Sequence, residues 1–156
     1  MATRESLGGA KGYELKSGEA EGGMAPIVNV SWYDAVKWCN AKSQMDGLMP
    51  VYSVNGTTYN AGQTTPTSFA TANGYRLPAD AEWEWAARGG VSTQGYTYSG
   101  SNTVSEVGWT YANSSDGVKA VGTKAANELG LYDMSGNVYE WCWDLNTSSR
   151  RIRGGS

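Results

Sequence analysis

The 156-residue chain contains no histidine, only one phenylalanine and only two cysteines. Histidine is the commonest general base and the commonest zinc ligand, so its absence excludes Ser-His and Cys-His catalysis and ordinary zinc hydrolysis within this chain. Any chemistry must use carboxylates, cysteine or a hard metal ion. The spacing of Cys39 and Cys142 matches no metal or redox motif. We expect two buried thiols, and a disulfide between them stays open as the alternative.

Long apolar runs and concentrated positive charge are also missing. No segment approaches the length of a transmembrane helix, and the first residues lack the charged-then-apolar order of a signal peptide. We therefore expect no membrane segment, and the localisation stays open, with an extracytoplasmic parent protein one alternative. The net charge of −3, with basic residues scattered except at 150–153, gives no reason to expect nucleic acid as a partner.

What the chain has instead is 21 glycines, 7 tryptophans and 10 tyrosines, a composition typical of an irregular, turn-rich protein. All of its aromatic side chains except the single phenylalanine also carry a polar group that forms hydrogen bonds. The length fits one domain, residues 1–156, and no repeat or linker indicates a second.

A few strong local signals stand between the loops. Ser31 is placed to cap a helix that Gly47 ends, and Pro78 starts a second helix that Gly89 and Gly90 end. Asn55-Gly56 lies between alternating apolar and polar residues, which predicts a hairpin.

Other segments carry weaker signals. Residues 27–30 read as a short strand, and residues 91–127 as long loops with one short strand at most. The Arg-Ile alternation before the final glycines indicates an exposed strand edge. Since each helix carries aromatic rings on one face, we expect Trp38 and either Trp83 or Trp85 to pack into a common core. Glu84 is expected to pair with Arg88.

Four blocks, in order, carry a resemblance: "PIVNVSWYDAVKWCN", "GYRLPADAEWEWAARGG", "ANELGLYDMSGNVYEWCWD" and "RIRGGS". They are similar to the formylglycine-generating enzyme, or sulfatase-modifying factor, family of bacterial and other proteins. The resemblance implies an α+β fold, a variant of the C-type lectin fold with little regular secondary structure, two packed helices and a small antiparallel sheet. Because the family's early strands and final strand have no counterpart here, we expect the domain to be incomplete at both ends.

The stretch "GLYDMSGNVYEWCWD" places two acids around a glycine turn, a pattern that suits a hard cation such as calcium. The plainer interpretation is a packed aromatic segment with solvated acidic ends. The resemblance implies a structural calcium site made of the Asp133 and Glu140 side chains and the Gly136 and Val138 carbonyls. A second calcium site implied by the resemblance takes the side chains of Asn102 and Asp116 and the carbonyls of Thr103 and Val118.

The resemblance also bears on catalysis. Oxidases of the family hold copper(I) between two cysteines that lie just beyond the last of the four blocks. Ser156, which ends this block, matches an active-site serine of the family, so the resemblance implies that it is a binding residue. Neither cysteine is in the given sequence, so copper is not expected in this chain and no catalytic residue is assigned.

Two functional classes stay open. One is a non-catalytic scaffold that binds a protein or carbohydrate ligand, as in variable proteins of diversity-generating retroelements. The alternative is a fragment of a copper-dependent oxidase that converts a sulfatase cysteine to formylglycine.

Overall fold

The computed structural model describes residues 12–19, 22–115 and 117–155. These residues form two compact units, which are treated separately below. One contains residues 12–19 and Asn29–Leu77, and the other contains residues 22–28 together with the chain from Pro78 onward. No helix in these three ranges is both long enough and apolar enough to cross a membrane.

The first unit is built on helix α1, Trp32–Met45. Ser31 is extended and its hydroxyl accepts a hydrogen bond from the Asp34 N–H at 3.1 Å, which satisfies one of the free donors at the helix start. Gly47, with φ of +73°, follows the last turn in the left-handed conformation that ends many helices. The predicted helix is confirmed at both ends.

The buried face of α1 differs from the predicted one. Trp32, Val36, Asn40 and Ser43 are buried, whereas Trp38 is 37% exposed. Two residues correspond to about 200° of rotation around a helix, so Trp38 points away from the Val36 face. The expectation that Trp38 belongs to the core was therefore wrong.

A three-stranded antiparallel sheet packs beside α1 in the same unit. Its strands are β1, Tyr52–Val54, β2, Thr57–Thr58, and β3, Thr67–Ser68, in the order β2-β1-β3. Asn55 and Gly56, which join β1 to β2, both have positive φ, as the predicted type I′ hairpin turn requires. The buried Asn40 side chain of α1 ties the helix to the hairpin, because its amide donates to the carbonyls of Tyr52 and Tyr59 at 2.8 and 3.0 Å.

A buried ion pair anchors the N-terminal segment to α1. The Lys37 ammonium lies 2.8 Å from the Asp34 carboxylate, and the two side chains are only 1% and 5% exposed. Lys37 also donates to the carbonyls of Glu14 and Gly62, and Asp34 accepts from the N–H and the hydroxyl of Ser17. Burial alone would raise the pKa of Asp34, but the hydrogen bonds from Lys37 and Ser17 more than offset it and hold that pKa below its usual range.

The second unit pairs helix α2, Asp80–Ala87, with a two-stranded antiparallel ribbon of β4, Glu140–Asn146, and β5, Ser149–Arg153. Pro78 precedes the capping residue Ala79, and Gly89 follows the last turn with φ of +84°, as predicted. The strand predicted in the last block is confirmed as β5.

Short turns of helix replace the loops expected between α2 and β4. They are a 3₁₀ turn, Gly90–Ser92, and the single-turn helices α3, Val104–Val107, and α4, Tyr111–Ser114. No strand occurs in the described part of residues 91–127, where Tyr98 and Ser101 form only an isolated bridge. The strand expected at 27–30 is likewise reduced to a single bridging residue, Val28.

The second unit buries Trp83, Ala87 and Cys142 together, with Met134 packed against them. Trp83 is 8% exposed and Trp85 is 54% exposed, so the expected core tryptophan of this helix is Trp83. Cys39 and Cys142 are free and buried, which confirms the thiol interpretation over the disulfide. Burial raises the pKa of Cys39 to about 12 and that of Cys142 to about 11.

The burial difference between two tryptophans predicts different costs of truncation. Trp83→Ala should lower the free energy of unfolding by about 3–5 kcal/mol, because it removes a large buried ring. Trp38→Ala should cost clearly less, because 37% of the Trp38 surface is already exposed. Urea titrations of the two variants measure both values, and equal costs would show that the assigned faces of the helices are incorrect.

The buried ion pair predicts a non-additive result. Asp34→Ala or Lys37→Met alone should each cost about 3–5 kcal/mol, since each leaves one buried charge without its partner. The double variant should cost clearly less than the sum of the two. Lys16→Met, which disrupts the exposed pair with Glu14, is the control and should change stability by less than about 1 kcal/mol. Strict additivity in urea unfolding would contradict the pairing.

Candidate metal centre and adjoining pocket

Residues 133–140 form a tight irregular turn that leads into β4. Asp133, Gly136 and Asn137 all have positive φ, at 58°, 94° and 61°. The buried Asn137 side chain holds the turn, because its amide accepts from the Lys119 N–H at 3.0 Å and donates to the Lys119 carbonyl at 3.1 Å. These two bonds fasten the Asn137 side of the turn to Lys119.

Three of the four predicted calcium ligands surround one glycine of the last block. A Cβ added to Gly154 would lie 2.8 Å from the Val138 carbonyl oxygen, 3.9 Å from the Gly136 carbonyl oxygen and 3.8 Å from Cγ of Glu140. The Gly136 N–H also donates to the Gly154 carbonyl at 3.4 Å. The structure thus brings Gly136, Val138 and Glu140 together around Gly154.

The fourth predicted ligand, Asp133, has one oxygen without a partner. Its Oδ2 accepts from the Gly122 N–H at 2.8 Å, whereas its Oδ1 is buried and has no hydrogen-bond partner. A buried carboxylate oxygen without a donor is costly. A bound cation would coordinate this oxygen and so replace the missing hydrogen bond.

The environment of Glu140 also disfavours an ionised carboxylate without a bound cation. Burial raises the pKa of Glu140, the hydrogen bond from the Trp83 indole N–H to Oε2 at 2.7 Å opposes that rise, and the charge of Asp133 adds to it. Two carboxylates therefore repel each other in a half-buried site. A cation between them would offset both the repulsion and the desolvation.

The donor set is two carboxylates and two main-chain carbonyls, all oxygen, which fits a hard cation such as Ca²⁺ better than zinc or copper. Within the described ranges no group of three or more Asp, Glu, Cys or His side chains is arranged so that it could hold a metal ion by itself. The carbonyl oxygens of the turn are therefore essential to the centre.

The second predicted calcium site stays a prediction. Asn102 Oδ1 already accepts from the N–H and the hydroxyl of Thr97, at 3.0 and 3.2 Å, within its own loop. The Thr103 carbonyl accepts from the Glu106 N–H. Val118 lines a separate pocket with Trp109. Asp116 lies outside the described residues, and so does Ser156, the predicted binding residue.

A pocket of about 390 Å³ adjoins the centre, and we call it the tyrosine pocket. Its wall includes three tyrosines, four apolar side chains and three charged side chains. These are Tyr96, Tyr98, Tyr139, Trp83, Ala87, Met134, Ile152, Glu84, Arg88 and Arg153. Gly154 and Gly155, the neighbours of Ser156, also line it.

The charged residues of the tyrosine pocket differ in how far they are already paired. Arg153 forms a two-bond pair with Asp80 at 2.6 and 2.8 Å and a further bond to Glu84 at 3.1 Å. Glu84 also accepts from Nε of Arg88 at 3.0 Å, as predicted. The Arg88 side chain remains 68% exposed, so it retains hydrogen-bonding groups for a ligand.

Sequence reasoning missed this pocket, because its residues come from four separate segments. The one signal in the sequence is the alternation of Tyr96 and Tyr98 in a glycine-rich loop.

Comparison with known proteins identifies the family. The model of the sulfatase-modifying factor enzyme 1-like domain matches residues 3–156. The chain therefore belongs to the sulfatase-modifying factor family, in which the formylglycine-generating enzymes are found.

Curated relatives show what the chain resembles in sequence. It is 42% identical to the chaperone protein LppX of Paenibacillus barcinonensis over 81% of this chain and 54% of that protein. It is 31% identical to the formylglycine-generating enzyme of Thermomonospora curvata over 76% of this chain and 33% of the enzyme. The chain thus spans about half of the first relative and a third of the second.

Solved structures agree with the predicted fold. CarF superposes with a TM-score of 0.82 over 97% of this chain and 69% of its own, at 31% identity. Treponema denticola variable protein 1 superposes with a TM-score of 0.74 over 97% of this chain and 68% of its own, also at 31% identity. The fold is the family's C-type lectin-like variant, as the four blocks indicated.

Proposed function

We propose that this domain is a non-catalytic binding scaffold whose tyrosine pocket takes an extended peptide segment of a partner protein. The observation that carries the proposal is the pocket itself, about 390 Å³ in volume and lined by three partly exposed tyrosines beside Arg88. Tyrosine and arginine are enriched at protein–protein interfaces, and tyrosine, serine and glycine are enriched in antibody binding loops.

The hydrogen-bonding capacity left in the pocket supports a peptide ligand. Both oxygens of Glu84 are taken by Arg88 and Arg153, so the pocket's remaining groups are mainly donors. They are the terminal nitrogens of Arg88 and the tyrosine hydroxyls. A peptide supplies backbone carbonyls for such donors, and an acidic side chain would pair with Arg88.

Two relatives add support by their names. One is described as a chaperone and the other as a variable protein, and neither name describes an oxidase. A binding role is consistent with both descriptions.

We further propose that calcium occupies the centre formed by Asp133, Gly136, Val138 and Glu140. When bound, the ion would supply positive charge that crosslinks the turn to the start of β4. Such a crosslink substitutes for the regular secondary structure that this part of the chain has little of. The unpartnered Asp133 oxygen and the convergence on Gly154 support the assignment.

The competing function is a copper-dependent formylglycine-generating oxidase, which the Thermomonospora curvata relative represents. Copper(I) requires thiolates, and burial raises the pKa of both Cys39 and Cys142 far above neutral pH. Neither thiol therefore favours that role. Conversion of a cysteine peptide to an aldehyde by this chain with copper(I) would overturn the binding proposal.

The peptide proposal is tested by panning the protein against a phage library of random dodecapeptides. An enriched peptide should lose about 30-fold or more in affinity with Tyr98→Ala, the loss expected for a central interface residue. Tyr111→Ala is the control, because Tyr111 is 80% exposed and lies outside the tyrosine pocket. Equal losses in both variants, or binding to a glycan array with no enriched peptide, would contradict the proposal.

The calcium proposal predicts a rise in melting temperature. Binding to the folded state alone contributes about 2.7 kcal/mol at a hundredfold excess over Kd, which corresponds to about 5–10 °C for a chain of this size. Glu140→Gln should remove most of the rise, whereas Glu84→Gln should retain it. Magnesium should substitute poorly, because it demands a strict octahedron. Melting curves in calcium and in chelator that coincide for the unmodified protein would refute a calcium centre.

A further inference from the structure

We infer that calcium at the metal centre and peptide in the tyrosine pocket bind cooperatively, each raising the affinity for the other. The inference rests on the proposed function, since it concerns the same pocket and the same centre. Its basis is that the two sites share parts of one wall.

Tyr139 is the first shared element. It lies between Val138 and Glu140, two of the four proposed ligand residues, and its side chain lines the tyrosine pocket and is 60% exposed. Any shift of the Val138 carbonyl or of the Glu140 backbone moves the residue between them. The position of the Tyr139 ring therefore depends on how firmly the turn is held.

Trp83 is the second shared element. Its ring lines the pocket, and its indole N–H donates to Glu140 Oε2 at 2.7 Å. The Trp83 side chain also belongs to the buried cluster with Ala87 and Cys142. A change at the Glu140 carboxylate is thus transmitted directly to a side chain that a pocket ligand would contact.

The main chain provides two further links. Gly154 lines the pocket and also lies against the Val138 and Gly136 carbonyls. Ser135 immediately precedes Gly136, lines the pocket, and accepts from the Ser99 N–H at 3.1 Å. The strand end and the turn that hold the centre are therefore also walls of the pocket.

The direction of the coupling follows from electrostatics. Without a cation, the Asp133 and Glu140 carboxylates repel each other, and their donors are the Gly122 N–H and the Trp83 indole. The turn is then loosened, and a peptide must order it at a cost in affinity. With calcium in place the wall is already ordered. Reciprocity requires that the peptide strengthen calcium binding by the same factor.

The test is calorimetric titration of the whole chain with calcium, with and without a saturating peptide selected by the panning, and of that peptide with and without calcium. We expect the two factors to agree and to lie between about 5-fold and 150-fold. Trp83→Phe retains an aromatic ring and removes the N–H, so it should reduce the factor toward one while both ligands still bind. Trp109→Phe removes a comparable indole bond, to Thr123, and should leave the factor unchanged.

The outcomes separate the inference from the proposed function. If the unmodified protein binds both ligands with a factor of one, the cooperativity is refuted and the proposed function stands. If calcium does not bind, or no pocket peptide binds at any calcium concentration, the inference fails together with the corresponding part of the proposed function. An undiminished factor in Trp83→Phe would refute the role of Trp83 in the coupling.

Discussion

The second unit depends on how two like charges, Asp133 and Glu140, are accommodated at the ends of one glycine-containing turn. Neither carboxylate is fully compensated, since one Asp133 oxygen has no partner and the pKa of Glu140 is raised by burial and by its neighbour. Such a defect is costly here, because the described part of this unit has only one helix of more than one turn and one two-stranded ribbon. A hard cation is the simplest compensation that the surrounding carbonyls allow.

The same turn explains why a pocket lies here. The chain must approach closely at Gly136, where an added Cβ would lie 2.1 Å from the Trp109 carbonyl oxygen, and at Gly154 beside the Val138 carbonyl. Glycine at these two positions allows the end of β5 to pack against the turn. This packing places Tyr139 and Trp83 in the wall of the pocket. The close packing of the turn against the end of β5 thus determines both the stability of the turn and the shape of the pocket.

Local chemistry made much of the first unit predictable from sequence. Ser31 and Gly47 delimit α1, and Asn55-Gly56 sets the hairpin, because capping and turn preferences act within a few residues. The face of α1 was not predictable in this way. Polar Asp34, Lys37 and Asn40 are buried because they bond to distant residues, and those partners are not visible in a hydrophobic pattern.

The candidate site likewise combines features that the sequence indicates with features that depend on long-range contacts. The glycine turn between Asp133 and Glu140 suggested a hard cation, but acids at the ends of a turn are ordinary surface residues in most proteins. Only the resemblance therefore favoured calcium over the plainer interpretation. The convergence of Gly154 on their turn and the indole bond from Trp83 are long-range facts, as is the union of Tyr96, Tyr98 and Tyr139 in one pocket. These long-range contacts could not be predicted from the spacing of residues in the sequence.

A crystal structure of the protein grown with calcium tests the central claim most directly. The account predicts an anomalous difference peak about 2.3–2.6 Å from the carboxylates of Asp133 and Glu140 and from the carbonyl oxygens of Gly136 and Val138. A calcium-saturated crystal with no anomalous density there, and with a water or a protein donor satisfying the buried Asp133 oxygen instead, would contradict it.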